Sequence, residues 1–227
     1  MLSLTLKDIS VSYPGLGAPV LAIPHLEVGA GEILAVTGAS GSGKSTFVNV
    51  ISGLEPLREG RVDWSGTDLA GLAEHRRDRW RGTHVGLVMQ DFHLFPGLSA
   101  LDNVLLPARL ASEASAAVKR RARDLLASTG LERPSQAVET MSRGEMQRVA
   151  LARALVRAPG VVIADEPTAS LDEASGQIVA DLLVGLTGAV GATLIVVSHD
   201  PGLIARLPRR ITLQSGNITQ DSRAVTP

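Results

Sequence analysis

The stretch GASGSGKS, Gly38 to Ser45, fits G-x-x-x-x-G-K-[ST] and sits between the apolar run EILAVT and the helical pattern STFVNVISGL. Strand, glycine-rich turn and helix in that order are the context of a phosphate-binding loop. The glycines let backbone N–H groups turn inward around phosphate oxygens, and the helix N-terminus adds its positive dipole. Lys44 is expected to reach the β- and γ-phosphates, and Ser45 to ligate Mg²⁺. Nucleotide contacts are expected along Gly38, Ala39, Ser40, Gly41, Ser42, Gly43, Lys44, Ser45 and Thr46. The bland alternative is a glycine-rich turn, which the strand–helix context disfavours.

Outward from that loop, the first third of the chain reads as sheet: LSLTLKDISV, VLAIPHLEV and EILAVT, then RVDW and HVGLVM after one intervening helix. From about Leu98 to Ala158 it reads mostly as helix. SALDNVLLPARLA, SAAVKRRARDLLAS and GEMQRVALARALV each show apolar spacing near 3.6. VVIAD, a helix around SGQIVADLLVGL, ATLIVVS, RITLQ and NIT follow. Alternating strands and helices suggest parallel βαβ units, which the helical block interrupts. The expected fold is α/β: a P-loop core with a mixed, mainly parallel sheet, an N-terminal antiparallel β subdomain and an inserted α-helical subdomain. The expected boundaries are core 1–90 and 160–227, with the helical part about 91–159, in one domain spanning 1–227.

Four apolar strands end in polar or glycine-rich groups: EILAVT in Gly38, HVGLVM in Gln90, VVIA in Asp165 and Glu166, ATLIVV in Ser198 and His199. In open parallel sheets, ligands bind beyond the carboxyl ends of the strands. Asp165 suits a Mg²⁺ partner acting through water, because Mg²⁺ dehydrates reluctantly. Glu166 is expected either to orient the attacking water or to deprotonate it. His199 is placed to hydrogen-bond a γ-phosphate. Gln90 is placed either to complete the metal shell or to contact the water. Tyr13, the only tyrosine, is a candidate for stacking on adenine, with plain packing as its alternative. His25, His75, His84 and His93 read as surface or core residues.

Whole-chain properties narrow the classes of function. The 227 residues, 44% hydrophobic and 20% charged, are ordinary globular composition. A formal net charge of −1 gives no global argument for nucleic acid or an anionic membrane. KRRAR, at Lys119 to Arg123, reads as a solvated helix face rather than a nucleic-acid site. Cysteine is absent, which excludes disulfides and thiolate zinc sites and fits a reducing compartment. MLSLTLKDISVSY alternates as a strand rather than forming a signal peptide. No apolar run reaches the about 18 residues of a spanning helix, so membrane work would need another chain.

MSRGEMQRVALARAL, Met141 to Leu155, contains no nucleophile paired with a base. Ser142, Arg143, Gly144 and Glu145 fit a capping box, and the same pattern recurs at Ser99 to Asp102 and Ser170 to Glu173. Two residues resist that reading. Gly144 in a first helical turn costs about 1 kcal/mol relative to alanine unless backbone must approach something closely. Arg143 puts a cation where the helix dipole disfavours it by about 0.3–1 kcal/mol unless an anion is near.

Together GASGSGKS, Gln90, MSRGEMQR, VVIADE, the Ser170–Asp172 segment SLD and His199 resemble the ATP-binding-cassette (ABC) ATPases over essentially the whole chain. The resemblance implies ATP and Mg²⁺, and a head-to-tail dimer of like chains or of related ATPase subunits. In that dimer the Ser142 hydroxyl and Gly144 N–H would bind the partner's γ-phosphate, with Arg143 and Glu145 beside them. Asp172 would contact the opposite P-loop, and Glu166 would be the catalytic carboxylate, with Gln90 and His199 assisting. The usual signature is leucine-serine-glycine-glycine-glutamine; Met141, Arg143 and Glu145 depart from it. Arg143 is expected near the partner's nucleotide, and Arg143→Gly is expected to remain an ATPase.

VMQDFHLFPGLSALDNVLLP and NVISGLEPLREGRVDWSGTDL look like the stand-alone ATPases of the lipoprotein-release and macrolide-export group. That likeness implies integral membrane permease partners and no nucleic acid. It implies a cytoplasmic chain, peripheral on the inner face of the membrane, with the stretch after Gln90 as the coupling surface. The alternatives are a cell-division-type ABC ATPase signalling through a membrane partner, and a P-loop kinase. The kinase reading leaves His199, the signature and the SLD segment unexplained.

Overall fold

Residues 1–224 are described by a computed structural model. The elements run β1 (Leu4–Val11), β2 (Leu21–Val28), β3 (Ile33–Thr37), α1 (Lys44–Ser52), β4 (Glu59–Trp64), β5 (Thr67–Asp68), α2 (Glu74–His84) and β6 (Val85–Val88). Then follow α3 (Ala100–Leu110), α4 (Ala116–Ser128), α5 (Arg143–Leu155), β7 (Val161–Asp165), α6 (Glu173–Ala189), β8 (Thr193–Val197), α7 (Pro201–Ile204), β9 (Arg209–Gln214) and β10 (Asn217–Asp221).

Successive side chains of a strand point to opposite faces, and here both faces are apolar. Val162, Ala164, Leu194, Val196 and Ala35 pack into one core with α3, α4, α5 and α6. Val161, Ile163, Ile195, Val197, Leu34 and Val36 pack into the other with α1 and the first two strands. The result is a six-stranded sheet ordered β10-β9-β3-β8-β7-β6, parallel except where β10 meets β9. A separate antiparallel sheet, β2-β1-β4-β5, closes over α1. Trp64 joins these layers by donating its indole N–H to the Ile51 carbonyl, 2.8 Å.

Between β6 and β7 the chain leaves the sheet and builds α3, α4 and α5. Ser99 caps α3, Ser115 caps α4, and Ser142 with Glu145 forms a full capping box on α5. The third capping pattern is displaced: Asp172, not Ser170, caps α6 and accepts from the Ser175 N–H. A short negative side chain at a helix N-terminus takes both the orphan N–H and the dipole.

Helix α2 has no counterpart in the sequence reading, and His84, expected to open a strand, is its last residue. EHRRDRWRGTH lacks an apolar period and buries only Trp80. Its anchors are polar and distant. Arg77 and Arg81 donate to the Gly53 carbonyl at 2.9 and 3.0 Å, closing the C-terminal end of α1. Trp80 lies 6.2 Å, centroid to centroid, from Trp64.

The edge of the large sheet is tied down by Arg209, whose side chain is only 8% exposed. It donates to Asp221 at 2.6 Å, to Glu32 at 2.9 Å and to the Glu27 carbonyl at 2.6 Å. The guanidinium holds the Asp221 carboxyl below its ordinary range. A buried charge with every neighbour paired is tolerated where an unpaired one would not be.

Candidate functional site

The carboxyl ends of β3, β8, β7 and β6 share one edge of the parallel sheet. A cavity of about 660 Å³ opens there, lined by Gly38, Ala39, Ser40, Gly41, Gly43, Lys44, Ser45, Thr46, Gln90, Asp165, Glu166 and His199, with Val20 and Ala169. All but the last two are residues singled out from the sequence. Ser42 is buried beneath the loop.

The loop's conformation needs its glycines. Gly38 and Gly43 have φ of +152° and +101°. A Cβ on Gly38 would meet the Leu213 carbonyl and the Ser42 hydroxyl; one on Gly43 would stand 2.6 Å from the Val20 carbonyl. These approaches wrap the loop over the start of α1, whose first residue is Lys44. Lys44 Nζ donates to the Gly38 carbonyl at 2.7 Å and the Ala39 carbonyl at 2.9 Å, which holds the ammonium over the loop.

Asp165 and Glu166 end β7 differently. Burial pushes the Asp165 carboxyl up, the Glu166 carboxylate adds to that rise, and Lys44 opposes it. Glu166 has φ +48°, a left-handed conformation unusual for a non-glycine residue. Its N–H donates to Val197 O at 2.8 Å, and its carbonyl accepts from Ala169 N–H. The side chain is 13% exposed and reaches His199, with Nδ1 2.8 Å from Oε1. The His199 backbone N–H donates to Oε2 at 3.3 Å. The turned backbone thus aims the carboxylate across to the β8 end.

Other sequence candidates lie elsewhere. Tyr13 does not line the cavity; half-buried, it packs against the core under the antiparallel sheet. Ser142, Arg143, Gly144 and Glu145 open α5, away from the cavity. Ser142 and Arg143 are exposed and Gly144 is buried. The Glu145 carboxyl is held down by the Ser142 backbone N–H and then its hydroxyl, both at 2.8 Å. Asp172 is exposed and lines an adjoining cavity of about 560 Å³ that shares Glu166, Ala169 and His199.

Both oddities of the α5 turn have partners within the chain. A Cβ on Gly144 would come within 3.1 Å of Ser175 Oγ and 3.3 Å of its Cβ, so the glycine admits the start of α6. Arg143 Nε donates to the Ser170 carbonyl at 3.0 Å, and its guanidinium lies 5.3 Å from the Phe92 ring centroid. A carbonyl and an aromatic face offset the unfavourable dipole. Sequence reasoning missed Phe92, the Ser170 carbonyl as a partner of Arg143, and the fully buried Gln147, whose Nε2 donates to the Pro167 carbonyl at 2.8 Å. Their only sequence signal is adjacency to Gln90, Glu166 and the α5 turn.

The sequence model for the ABC transporter family matches residues 21–169. The lipoprotein-releasing system ATP-binding protein LolD 1 of Caulobacter vibrioides is 43% identical over 200 residues, covering 87% of this chain and 86% of that one. The macrolide export ATP-binding/permease protein MacB of Chromobacterium violaceum is 42% identical over 210 residues, covering 90% of this chain but 32% of that longer protein. Among solved structures, the dimeric post-hydrolysis state of the ATP-binding cassette MJ0796 bound to ADP and Pi superimposes with a TM-score of 0.85. It is 32% identical and covers 96% of this chain and 97% of that one.

Proposed function

Because the chain belongs to the ABC transporter family, we propose that it is the ATP-binding and ATP-hydrolysing subunit of a transporter whose membrane-spanning part is a separate chain. One observation carries this reading: Lys44, Gln90, Asp165, Glu166 and His199 converge on one cavity at the carboxyl ends of four parallel strands. No helix of the described residues is long and apolar enough to cross a membrane.

In this proposal the P-loop amides of Gly38 to Thr46 bind phosphate oxygens, and the Lys44 ammonium turns from its carbonyls to the β- and γ-phosphates. Bound with the nucleotide, Mg²⁺ would neutralise charge on the phosphates. Ser45, Gln90 and Asp165 would hold it, and they fit. Among the described residues no three His, Cys, Asp or Glu form a cage, which suits a cation that keeps water and phosphate ligands. A cation would also relieve the disfavoured Asp165 charge. Glu166 orients the attacking water or takes its proton, and His199 acts on that carboxylate through its 2.8 Å contact.

The second half of each site belongs to a second copy. Ser142 is exposed at the N-terminus of α5, where N–H groups and dipole favour an anion. Head-to-tail pairing would bring Ser142, Gly144 and Asp172 to the partner's nucleotide. The whole chain then acts as one ATPase domain, with α3 to α5 as its inserted helical part. Relatives named for lipoprotein release and macrolide export support an exporter of that group, the chain being held peripherally at the inner face of the membrane by its permease.

Tagged protein recovered from detergent-solubilised membranes of its native host should carry an integral membrane partner. It should release phosphate from MgATP without phosphorylating an acceptor. A phosphorylated small molecule in place of free phosphate would overturn the reading.

Asp165→Asn separates stability from activity. It removes a charge disfavoured by burial and by Glu166, so the nucleotide-free protein should melt about 2–4 °C higher. Mg²⁺-dependent hydrolysis should fall at least about tenfold. Calorimetry without nucleotide and a phosphate-release assay check both; an unchanged or lower Tm would show that the carboxylate is no burden.

A further inference from the structure

Arg143 and Gln147 lie one turn apart on α5, so their side chains share a face. Both donate to carbonyls of the segment joining Glu166 to Asp172: Arg143 to Ser170 at 3.0 Å and Gln147 to Pro167 at 2.8 Å. The Arg143 guanidinium also covers the ring of Phe92, two residues beyond Gln90. Phe92 and His93 have φ of +58° and +47°, and Arg153, near the far end of α5, donates to both their carbonyls at 2.6 and 2.5 Å. One helix therefore grips two irregular loops, each carrying a residue of the site.

We infer that Arg143 is a positioning residue that acts within its own chain. It fastens the turn Ser142–Glu145 to the Gln90 loop through Phe92, and to the Glu166–Asp172 segment through Ser170. This rests on the proposed ATPase function and goes beyond it by giving Arg143 a role other than contact with the partner's nucleotide.

The backbone supplies the reason. A left-handed Glu166 persists only where its surroundings over-determine it. Val197 holds the amide and Ala169 the carbonyl of Glu166 itself; the donors from α5 fix the residues after it. Arginine suits the position because a planar guanidinium can donate from its edge while stacking through its face, which a lysine ammonium cannot do. Whatever shifts the α5 turn then shifts Glu166 and Gln90 of the same chain.

Steady-state ATPase assays on Arg143→Gly, Phe92→Leu, the double variant and Arg143→Lys test this. Arg143→Gly should stay active with kcat about 3- to 10-fold lower and KM for ATP within about twofold of wild type. The double variant should be no slower than Arg143→Gly alone, because Phe92 acts through the guanidinium that Arg143→Gly has already removed. Arg143→Lys should recover less than half of the loss.

Effects confined to KM, an unchanged kcat, or multiplying single effects would overturn the inference and return Arg143 to the partner's nucleotide. Should Phe92→Leu fail to fold, Arg143→Lys decides, and wild-type kcat in that variant overturns it. A wild-type protein that releases no phosphate would refute the functional reading instead; an active wild type with an additive cycle would refute only the placement of Arg143.

Discussion

Glu166→Gln is expected to turn over ATP about 10²- to 10⁴-fold more slowly than wild type while still binding it, the range for loss of the general base proposed here. The amide keeps the size of the carboxylate and stays within reach of His199, but it cannot take a proton from water. Because the ATP contacts proposed for Lys44, Ser142 and Gly144 are untouched, closure of two chains around ATP should proceed and reopening should not. Size-exclusion chromatography should show monomer without nucleotide and dimer with ATP. Hydrolysis near the wild-type rate would remove Glu166 from the catalytic role. A slow variant that stays monomeric in ATP would remove the head-to-tail site.

Lys44→Ala is expected to lose nucleotide. The ammonium stands 2.7 and 2.9 Å from two loop carbonyls and, among the described residues, is the one lysine or arginine lining the P-loop cavity. Its loss would remove the charge-assisted hydrogen bonds proposed to the β- and γ-phosphates, and ATP affinity should fall about 100-fold or more. Ligand binding raises the melting temperature by mass action, so wild type should show an ATP-dependent rise in Tm that Lys44→Ala lacks at the same concentration. Retained micromolar affinity by calorimetric titration would contradict the phosphate-site assignment.

Much of the molecule is readable without coordinates where the signal is local. VVIAD and ATLIVVS are continuous apolar runs, and only strands buried on both faces tolerate that composition. GASGSGKS carries positive-φ glycines, a lysine and a helix start within eight residues. The N-cap at Ser99 and the capping box at Ser142 are equally local. The pattern at Ser170 misled because Asp172 competes for the same helix start two residues later, and a carboxylate is the better partner for the dipole.

Helix α2 shows the limit of that legibility. It is stabilised by arginines reaching the Gly53 carbonyl and by one tryptophan, with no apolar stripe for a periodicity to reveal. Gly144 and Arg143 show it again. From sequence they suggested a ligand nearby; in the fold their neighbours are Ser175, Ser170 and Phe92.

Strand runs, the phosphate loop and the polar residues at strand ends follow from short-range chemistry, because each depends on neighbours within a turn or a strand. The partners of Arg143, the left-handed Glu166 and its contact with His199 were decided only by folding. They join residues 27, 33 and 51 positions apart, and which group meets which donor depends on how α5, the loop after β6, β7 and β8 pack.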